Sequence, residues 1–337
     1  MKKMLAMLLA LVMVLSLAAC ASTPAAETPA AETPASAEET PAAEGKTYTV
    51  GVCQLVQHEA LDAATQGFVD ALKEELGDAV TIDVQNASGD SVNCGTIVNG
   101  FVSKGVDLIM ANATPALTAA VSATADIPIL GTSITAYGVA LDIDDFNGTV
   151  GGNISGTSDL ADLQAQAQMI LDWFPETKTV GLLFCSAEPN SRYQVDEVRK
   201  ALEVQGVSCE EFAFTDSNDV SSVTQKAADS SDVIYIPTDN TAAANTEAIA
   251  NVLIPAGVPA ICGEEGICRG CGVATLSISY YDLGVTTGKM AAKILTGKAD
   301  ISEMPIEYFQ NPVKKYDAER CAALGIEIPD DYVAIEG

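Results

Sequence analysis

Asp239 has the clearest chemistry to offer in this chain. It follows a short buried-strand run, Val233-Ile234-Tyr235-Ile236, and then Pro237, which has no amide to extend a ladder. After it come Asn240, Thr241 and an Ala-rich run of helical character, for which Thr241 or Asn240 is the expected cap. Polar side chains and free amides therefore meet at the end of a strand, where open α/β sheets bind small ligands. A shielded carboxylate there pairs with an ammonium group through a charge-assisted hydrogen bond. The same residue can also do no more than shape an Asx-turn.

Other polar residues fall at equivalent places. Ser88, Thr114 and Ser133 are hydroxyl donors at the ends of earlier strand-like runs, although each is also a common turn or cap residue. Asn190 and Ser191 follow the strand ending at Cys185 and are read as caps of the next helix, where their amides also suit a carboxylate. Asp159, or Ser158, is read as the cap of a helix reaching Phe174. His58, the single His, lies in the first strand-to-helix loop beside Gln57. Glu264 follows a strand ending at Cys262. A catalytic base needs a nucleophile and an orienting group in reach, and no motif supplies them to His58. A surface hydrolase built on His58 or a Cys is the weaker alternative.

Cys268-Arg269-Gly270-Cys271 has CxxC spacing. A zinc site would want a second pair or His ligands, and the chain has one His and no second CxxC. Redox chemistry of the thioredoxin kind puts CxxC at a helix start, whereas this one reads as a Gly-rich turn. Whether the two thiols are bridged stays open. Cys53, Cys185 and Cys262 fall in strands and read as small core residues.

The elements that position these residues alternate. Strands are expected at Tyr48–Leu55, Val80–Asn86, Val106–Asn112 and Ile127–Thr132, with helices at Ala60–Leu76, Val92–Ser103 and Thr114–Thr124 between them. A less regular stretch with Gly148, Gly151, Gly152 and Gly156 reads as a crossing. The helix over Asp159–Phe174 opens a second series: strands 178–185, 207–214, 232–236 and 258–262, and helices 190–205, 219–229 and 241–254. Thr49-Val-Gly-Val-Cys53 echoes Thr179-Val-Gly-Leu-Leu-Phe-Cys185, and Ile127–Gly131 echoes Val258–Gly263. Alternating βα units imply parallel sheets, so the fold class is α/β with two similar lobes and a site between them. Gly272–Ser279 is expected to return to lobe one as a strand. The helix Tyr280–Leu295, a strand over Glu307–Val313 and a short helix over Asp317–Leu324 close the chain. The lobes are assigned as 47–155 with 276–304, and 156–275 with 305–337. Trp173 and Phe174 are read as core.

At 337 residues the chain exceeds what one core usually fills. Its net charge of −29 argues against nucleic-acid binding, which needs a basic footprint. Residues 1–20 open with Met-Lys-Lys and an apolar run, and end Leu17-Ala18-Ala19-Cys20: a signal peptide with the form of a lipobox, in which Cys20 takes the lipid. Residues 21–46 repeat Ala, Glu, Thr and Pro without bulky apolar residues, and read as a disordered tether.

Several motifs, in order, resemble those of the ABC transporter solute-binding proteins of the tryptophan/tyrosine (aromatic amino acid) type. They are Gln57-His58-Glu59-Ala60-Leu61-Asp62-Ala63, Asn112-Ala113-Thr114-Pro115-Ala116, Ser155-Gly156-Thr157-Ser158-Asp159, Glu188-Pro189-Asn190-Ser191, Ile236-Pro237-Thr238-Asp239-Asn240-Thr241 and Tyr280-Tyr281-Asp282-Leu283-Gly284. The resemblance covers roughly Tyr48 to Ile326. It implies a type I periplasmic-binding-protein fold: two Rossmann-like lobes, a three-segment hinge and a ligand in the cleft. It further implies a monomer with no cofactor that delivers its ligand to an ABC permease and its ATPase, from a lipid anchor outside the cytoplasmic membrane. The implied contacts are Gln57, His58, Ser88, Thr114, Ser133, Asp159, Asn190, Ser191, Asp239, Asn240 and Glu264. Glu59 stands where the family often has Pro, and Ala136-Tyr137 where it usually has Asp-Pro. A sugar-binding or sensory protein is the alternative within the same architecture.

Overall fold

The structure is a computed structural model and describes residues 45–309 and 311–336. The lipobox and the tether up to Glu44 lie outside the described residues.

Lobe one is built from β1 (Tyr48–Gln54), α1 (Glu59–Leu76), β2 (Val80–Asn86), α2 (Ser91–Lys104), β3 (Leu108–Asn112), α3 (Thr114–Ala123), β4 (Ile129–Ile134), α4 (Tyr137–Ala140) and β5 (Ile154–Ser158). Lobe two follows with α5 (Leu163–Trp173), β6 (Thr179–Cys185), α6 (Pro189–Val204), β7 (Ser208–Phe214), α7 (Val220–Ser230), β8 (Val233–Ile236), α8 (Asn240–Ala243), α9 (Thr246–Ala256), β9 (Ala260–Cys262), α10 (Glu265–Cys271) and β10 (Ala274–Ser277). The chain ends with α11 (Tyr280–Leu295), β11 (Glu307–Tyr308), β12 (Val313–Tyr316), α12 (Ala318–Leu324) and β13 (Val333–Ala334).

The two sheets run β11-β5-β4-β3-β1-β2 and β13-β12-β10-β9-β8-β6-β7. Each contains the same parallel order, second strand, first, third, fourth, fifth, which is the structural form of the echo in the sequence. Among the named strands of the described residues, only β10 with β12 pairs antiparallel.

Both faces of each sheet are covered, so the inner strands are apolar throughout instead of alternating with polar residues. In β1 and β3, Val50, Val52, Leu108 and Met110 face α1 and α11 in one core. Cys53, Ile109 and Ala111 face α2 and α3 in another. In β6 and β8, Val180, Leu182, Phe184, Val233 and Tyr235 pack with Met169, Ile170 and Trp173 of α5. Leu183, Cys185, Ile234 and Ile236 pack on the far side with α7 and α9.

Several sequence expectations are corrected. The Gly-rich stretch read as a crossing contains β5, which pairs with β4 in the lobe-one sheet. The strand at Gly272–Ser279 does not return to lobe one: β10 pairs with β9 in lobe two, because its register is set by Ile261 and Cys262. The single strand expected over Glu307–Val313 is two, with β11 beside β5 and β12 beside β10. By sheet pairing, lobe one therefore takes residues 154–158 and 307–308, and lobe two extends to Ser277. The chain passes between the sheets after β5, after β10 and after β11. The helix at Asp159–Phe174 starts later, at Leu163, because Asp162 is its cap and accepts from Ala165 N at 3.0 Å. The helix at 241–254 divides into α8 and α9. Cys268 and Cys271 sit one turn apart in α10 and are buried, not in a turn.

Candidate functional site

In both sheets the strand order reverses at the first strand of the lobe, β1 and β6. The crevice at the carboxyl ends of such strands is where ligands bind in open α/β sheets. The residues after β1 and at the end of β4 in lobe one, and after β6, β8 and β9 in lobe two, face each other there. They enclose a narrow cavity. Its walls are His58, Ala60, Leu61, Ser133 and Thr135 from lobe one, and Asn190, Thr238, Asp239, Asn240, Ala243 and Glu264 from lobe two. Asp159 and Tyr280 close it from two of the crossings. A flanking space lined by Gln57 and Glu59 shares His58 and Glu264 with it. A second, lined by Ser88, Pro115 and Glu188, shares Asn240.

Lobe one presents backbone as much as side chains. α1 enters the cavity with its N-terminus, where His58 occupies the cap position without a side-chain cap bond. The first amides of this helix are open to an anion. A buried network fixes that end: Asn112 donates to the Leu61 carbonyl at 2.8 Å and to Thr65 Oγ1 at 2.9 Å, and Gln54 donates to Asp62 at 2.6 Å. Ser88, Ala113 and Ser133 take positive φ of 56°, 86° and 55° around the ends of β2, β3 and β4. Non-glycine residues hold such angles only where their surroundings impose them. At Ser133 the angle coincides with an irregularity in the β4–β5 register between Gly131 and Ile134, and the residue lines the cavity.

In lobe two the carboxylates are already engaged. Asp239 caps α8, accepting from Ala242 N at 2.7 Å, and its other oxygen accepts from Cys185 N at 2.7 Å. The cap of this helix is thus Asp239 and neither Asn240 nor Thr241. Glu188 accepts from the amides of Asn240 and Thr241 at 3.0 and 2.9 Å, and from both their side chains. Glu264 caps α10 through the amides of Gly266 and Ile267. Asn190 and Ser191 are not caps but first-turn residues of α6, with Glu188 at the cap position. The Asn190 amide nitrogen donates to the Thr238 carbonyl at 3.1 Å, to Glu188 and to Ser191. These acceptors fix which way the amide points.

Three buried polar atoms on this cavity's lining residues make no hydrogen bond of good geometry: Ser133 Oγ, Asp159 Oδ1 and Asn190 Oδ1, although the Thr135 hydroxyl is near enough to favour the charged form of Asp159. Asp159 is not a helix cap. Its other oxygen accepts from Tyr280 OH at 2.9 Å. Burial raises its carboxyl above the ordinary range, opposed by the hydroxyls of Tyr280 and Thr135. Of the expected contacts, His58, Ser133, Asp159, Asn190, Asp239, Asn240 and Glu264 meet at the cavity, and Gln57 and Ser88 line the flanking spaces. Thr114 is buried at the first residue of α3, and Ser191 is wholly buried in α6; neither lines the cavity. Thr135, Thr238 and Tyr280 were missed as wall residues. The last two stand inside motifs quoted above, and that was the available signal.

Burial and the adjacent Glu188 push Asp239 up to about 8, and burial pushes Glu264 up to about 7. Unfolded carboxyls titrate near 3.9 and 4.3. Between about pH 4 and pH 8 these two carboxyls therefore hold more protons in the folded chain than in the unfolded one, and their contribution to stability falls as pH rises through that window. The melting temperature is expected to drop from pH 5 to pH 8. The combined Asp239→Asn and Glu264→Gln variant should show a shallower slope, whatever its absolute melting temperature. An unchanged slope would contradict this origin.

Comparison with known proteins points the same way. The family model described as ABC transporter substrate binding protein matches residues 49–335. A tyrosine-binding protein of Clostridioides difficile (strain R20291) is 32% identical over 267 residues, 77% of this chain and 76% of that protein. Among solved structures, the ABC domain in complex with L-Trp from Streptococcus pneumonia has a TM-score of 0.80 at 32% identity, covering 85% of this chain and 97% of that one. The ligand-free, open structure of a substrate binding protein with adhesive properties from Clostridium difficile has a TM-score of 0.65 at 34% identity, covering 86% and 100%.

Proposed function

From the premise that the chain belongs to the ABC transporter substrate binding protein family, we propose that the solute it delivers to its permease is a free aromatic amino acid. The membership itself makes this a binding protein and not an enzyme. The observation that carries the proposal is the set of unpartnered atoms around one cavity. Asp159 Oδ1 and Asn190 Oδ1 are acceptors, and together they suit an ammonium group. Ser133 Oγ and the uncapped start of α1 suit a carboxylate. Leaving such groups unpaired and buried is costly, so a zwitterion that satisfies all of them binds favourably. The aromatic side chain is carried over from the tyrosine-binding relative and the L-Trp complex. Sugar clefts often stack aromatic rings, but Trp173 packs edge-on against Tyr332 at 5.0 Å in the lobe-two core. Calorimetric titration of the full chain with L-tyrosine, L-tryptophan and L-phenylalanine tests the reading, and heat from sugars alone would overturn it.

Asp239, first read as the partner of the ammonium, has both oxygens on backbone amides, so the proposal gives that part to Asp159. Asp239, His58, Asn240 and Glu264 shape the wall. The protein acts as a monomer at the outer face of the cytoplasmic membrane. Among the described residues no helix is long and apolar enough to cross a membrane. Attachment is proposed to come from lipid on Cys20 of the Leu17-Ala18-Ala19-Cys20 sequence. Cys20→Ser is expected to move the protein from the membrane to the soluble fraction and to remove the acyl mass. Membrane retention in that variant, with no acyl mass on the wild type, would refute the anchor.

A further inference from the structure

His58 and Glu59 are adjacent at the start of α1, and each bonds a different element of lobe two. His58 Nε2 lies 3.2 Å from Asn240 Oδ1 at the start of α8. Glu59 pairs with Arg269 of α10. We propose that these two contacts form a latch that sets how long the cleft stays closed. The inference rests on the two-lobed capture reading, but not on the identity of the ligand.

Both lobe-two partners are held before the latch forms. The Asn240 side-chain amide donates to Glu188 at 2.6 Å, which leaves its oxygen facing His58. His58 Nε2 is therefore the donor, and the tautomer is fixed by the partner. Arg269 is steadied by Glu265 on its own helix at 3.1 Å. The end of α10 is itself fastened by Arg320, which donates to the carbonyls of Cys268, Arg269, Gly270 and Gly272. Little side-chain ordering remains to be done on closure, and pre-ordered groups bind at lower entropic cost. The charges also suit their helices: Glu59 is in the first turn of α1 and Arg269 in the last turn of α10, the favourable end for each sign.

The test is single-molecule energy transfer on the full chain without ligand, at low salt. Dyes are placed through Val92→Cys on α2 and Val204→Cys on α6, which are 74% and 86% exposed, in a Cys20→Ser, Cys209→Ser background that removes the accessible native thiols. Glu59→Ala and Arg269→Ala should each shift the closed-to-open ratio toward open by about two- to fivefold, the range for a partly exposed ion pair. The exchange of charges, Glu59→Arg with Arg269→Glu, should recover part of the wild-type ratio, because an acid at position 269 lies beside Glu265. Unchanged ratios in the single variants, an exchange variant as open as either single, or a wild-type chain with no measurable closed population would each overturn the latch. L-tyrosine added to the same samples should leave the association rate unchanged and raise the dissociation rate in the single variants. Failure of L-tyrosine to bind at all would count against the amino-acid reading and leave the ligand-free ratios to decide the latch.

Discussion

Asp159→Asn is expected to remove most of the affinity for an aromatic amino acid while leaving the fold intact. The side chain keeps its shape, and its hydrogen bond from Tyr280 can be retained by the amide oxygen. What is lost is the negative charge opposite the ligand's ammonium. Removing one partner of a buried charge pair commonly costs about 2–5 kcal/mol, because the other charge is left uncompensated. At about 1.4 kcal/mol per factor of ten, the dissociation constant should rise on the order of 30-fold or more. A pH signature accompanies it. Burial holds the Asp159 carboxyl above its usual range in the free protein, and only the ionised form pairs with an ammonium. Affinity should therefore weaken as pH falls into that raised range, and the Asn variant should lack this dependence. Asp239→Asn provides the contrast. It loses an acceptor already used by Cys185 N or Ala242 N, so its affinity should change far less than that of Asp159→Asn. Calorimetry with L-tyrosine between pH 5 and pH 8 checks all three statements. An Asp159→Asn affinity within threefold of wild type would remove Asp159 from the site.

Gly284→Ala is expected to be among the most damaging single-methyl changes in lobe one. α11 crosses α1 there with backbones in contact. A Cβ on Gly284 would fall well inside van der Waals contact distance of the Ala64 carbonyl oxygen, and one on Gly67 would meet the Tyr281 carbonyl in the same way. Backbone atoms of two helices cannot yield as a side-chain tip can. Overpacking typically costs 1–3 kcal/mol and occasionally more, and about 3 kcal/mol is expected at this site. Gly95 of α2 has nothing within 4 Å of the equivalent point. Gly95→Ala should therefore stabilise by roughly 0.5–1 kcal/mol through helix propensity alone. Urea denaturation of the two variants gives opposite signs on this account. Equal stability of Gly284→Ala and wild type would contradict the close crossing.

The alternation of strands and helices was legible because inner strands buried on both faces read as continuous apolar runs, such as Val233–Ile236. β5 was not, because Gly156 and its small neighbours carry no apolar period. Its place depends on pairing with β4. The sheet joined by β10 was not legible either, since nothing local distinguishes a strand that pairs with β9 from one that returns to lobe one. The cleft itself was visible in the sequence as polar residues after strands. The division of labour within it was not. Asp239 reads as a free carboxylate until Cys185 N, 54 positions away, is seen to occupy one oxygen. Asp159 reads as a helix cap until Asp162 is seen to take that place, and its bond from Tyr280 spans 121 positions. In each case the deciding partner lies far along the chain.

The most direct measurement is calorimetric titration of the full chain, separately, with L-tyrosine, L-tryptophan, L-phenylalanine and D-glucose at pH 7. The account predicts saturable heat at one ligand per chain for at least one aromatic amino acid and none for the sugar, with the amino-acid heat weakened at least 30-fold in affinity by Asp159→Asn. Saturable heat with D-glucose alone, or amino-acid binding indifferent to Asp159, would contradict it.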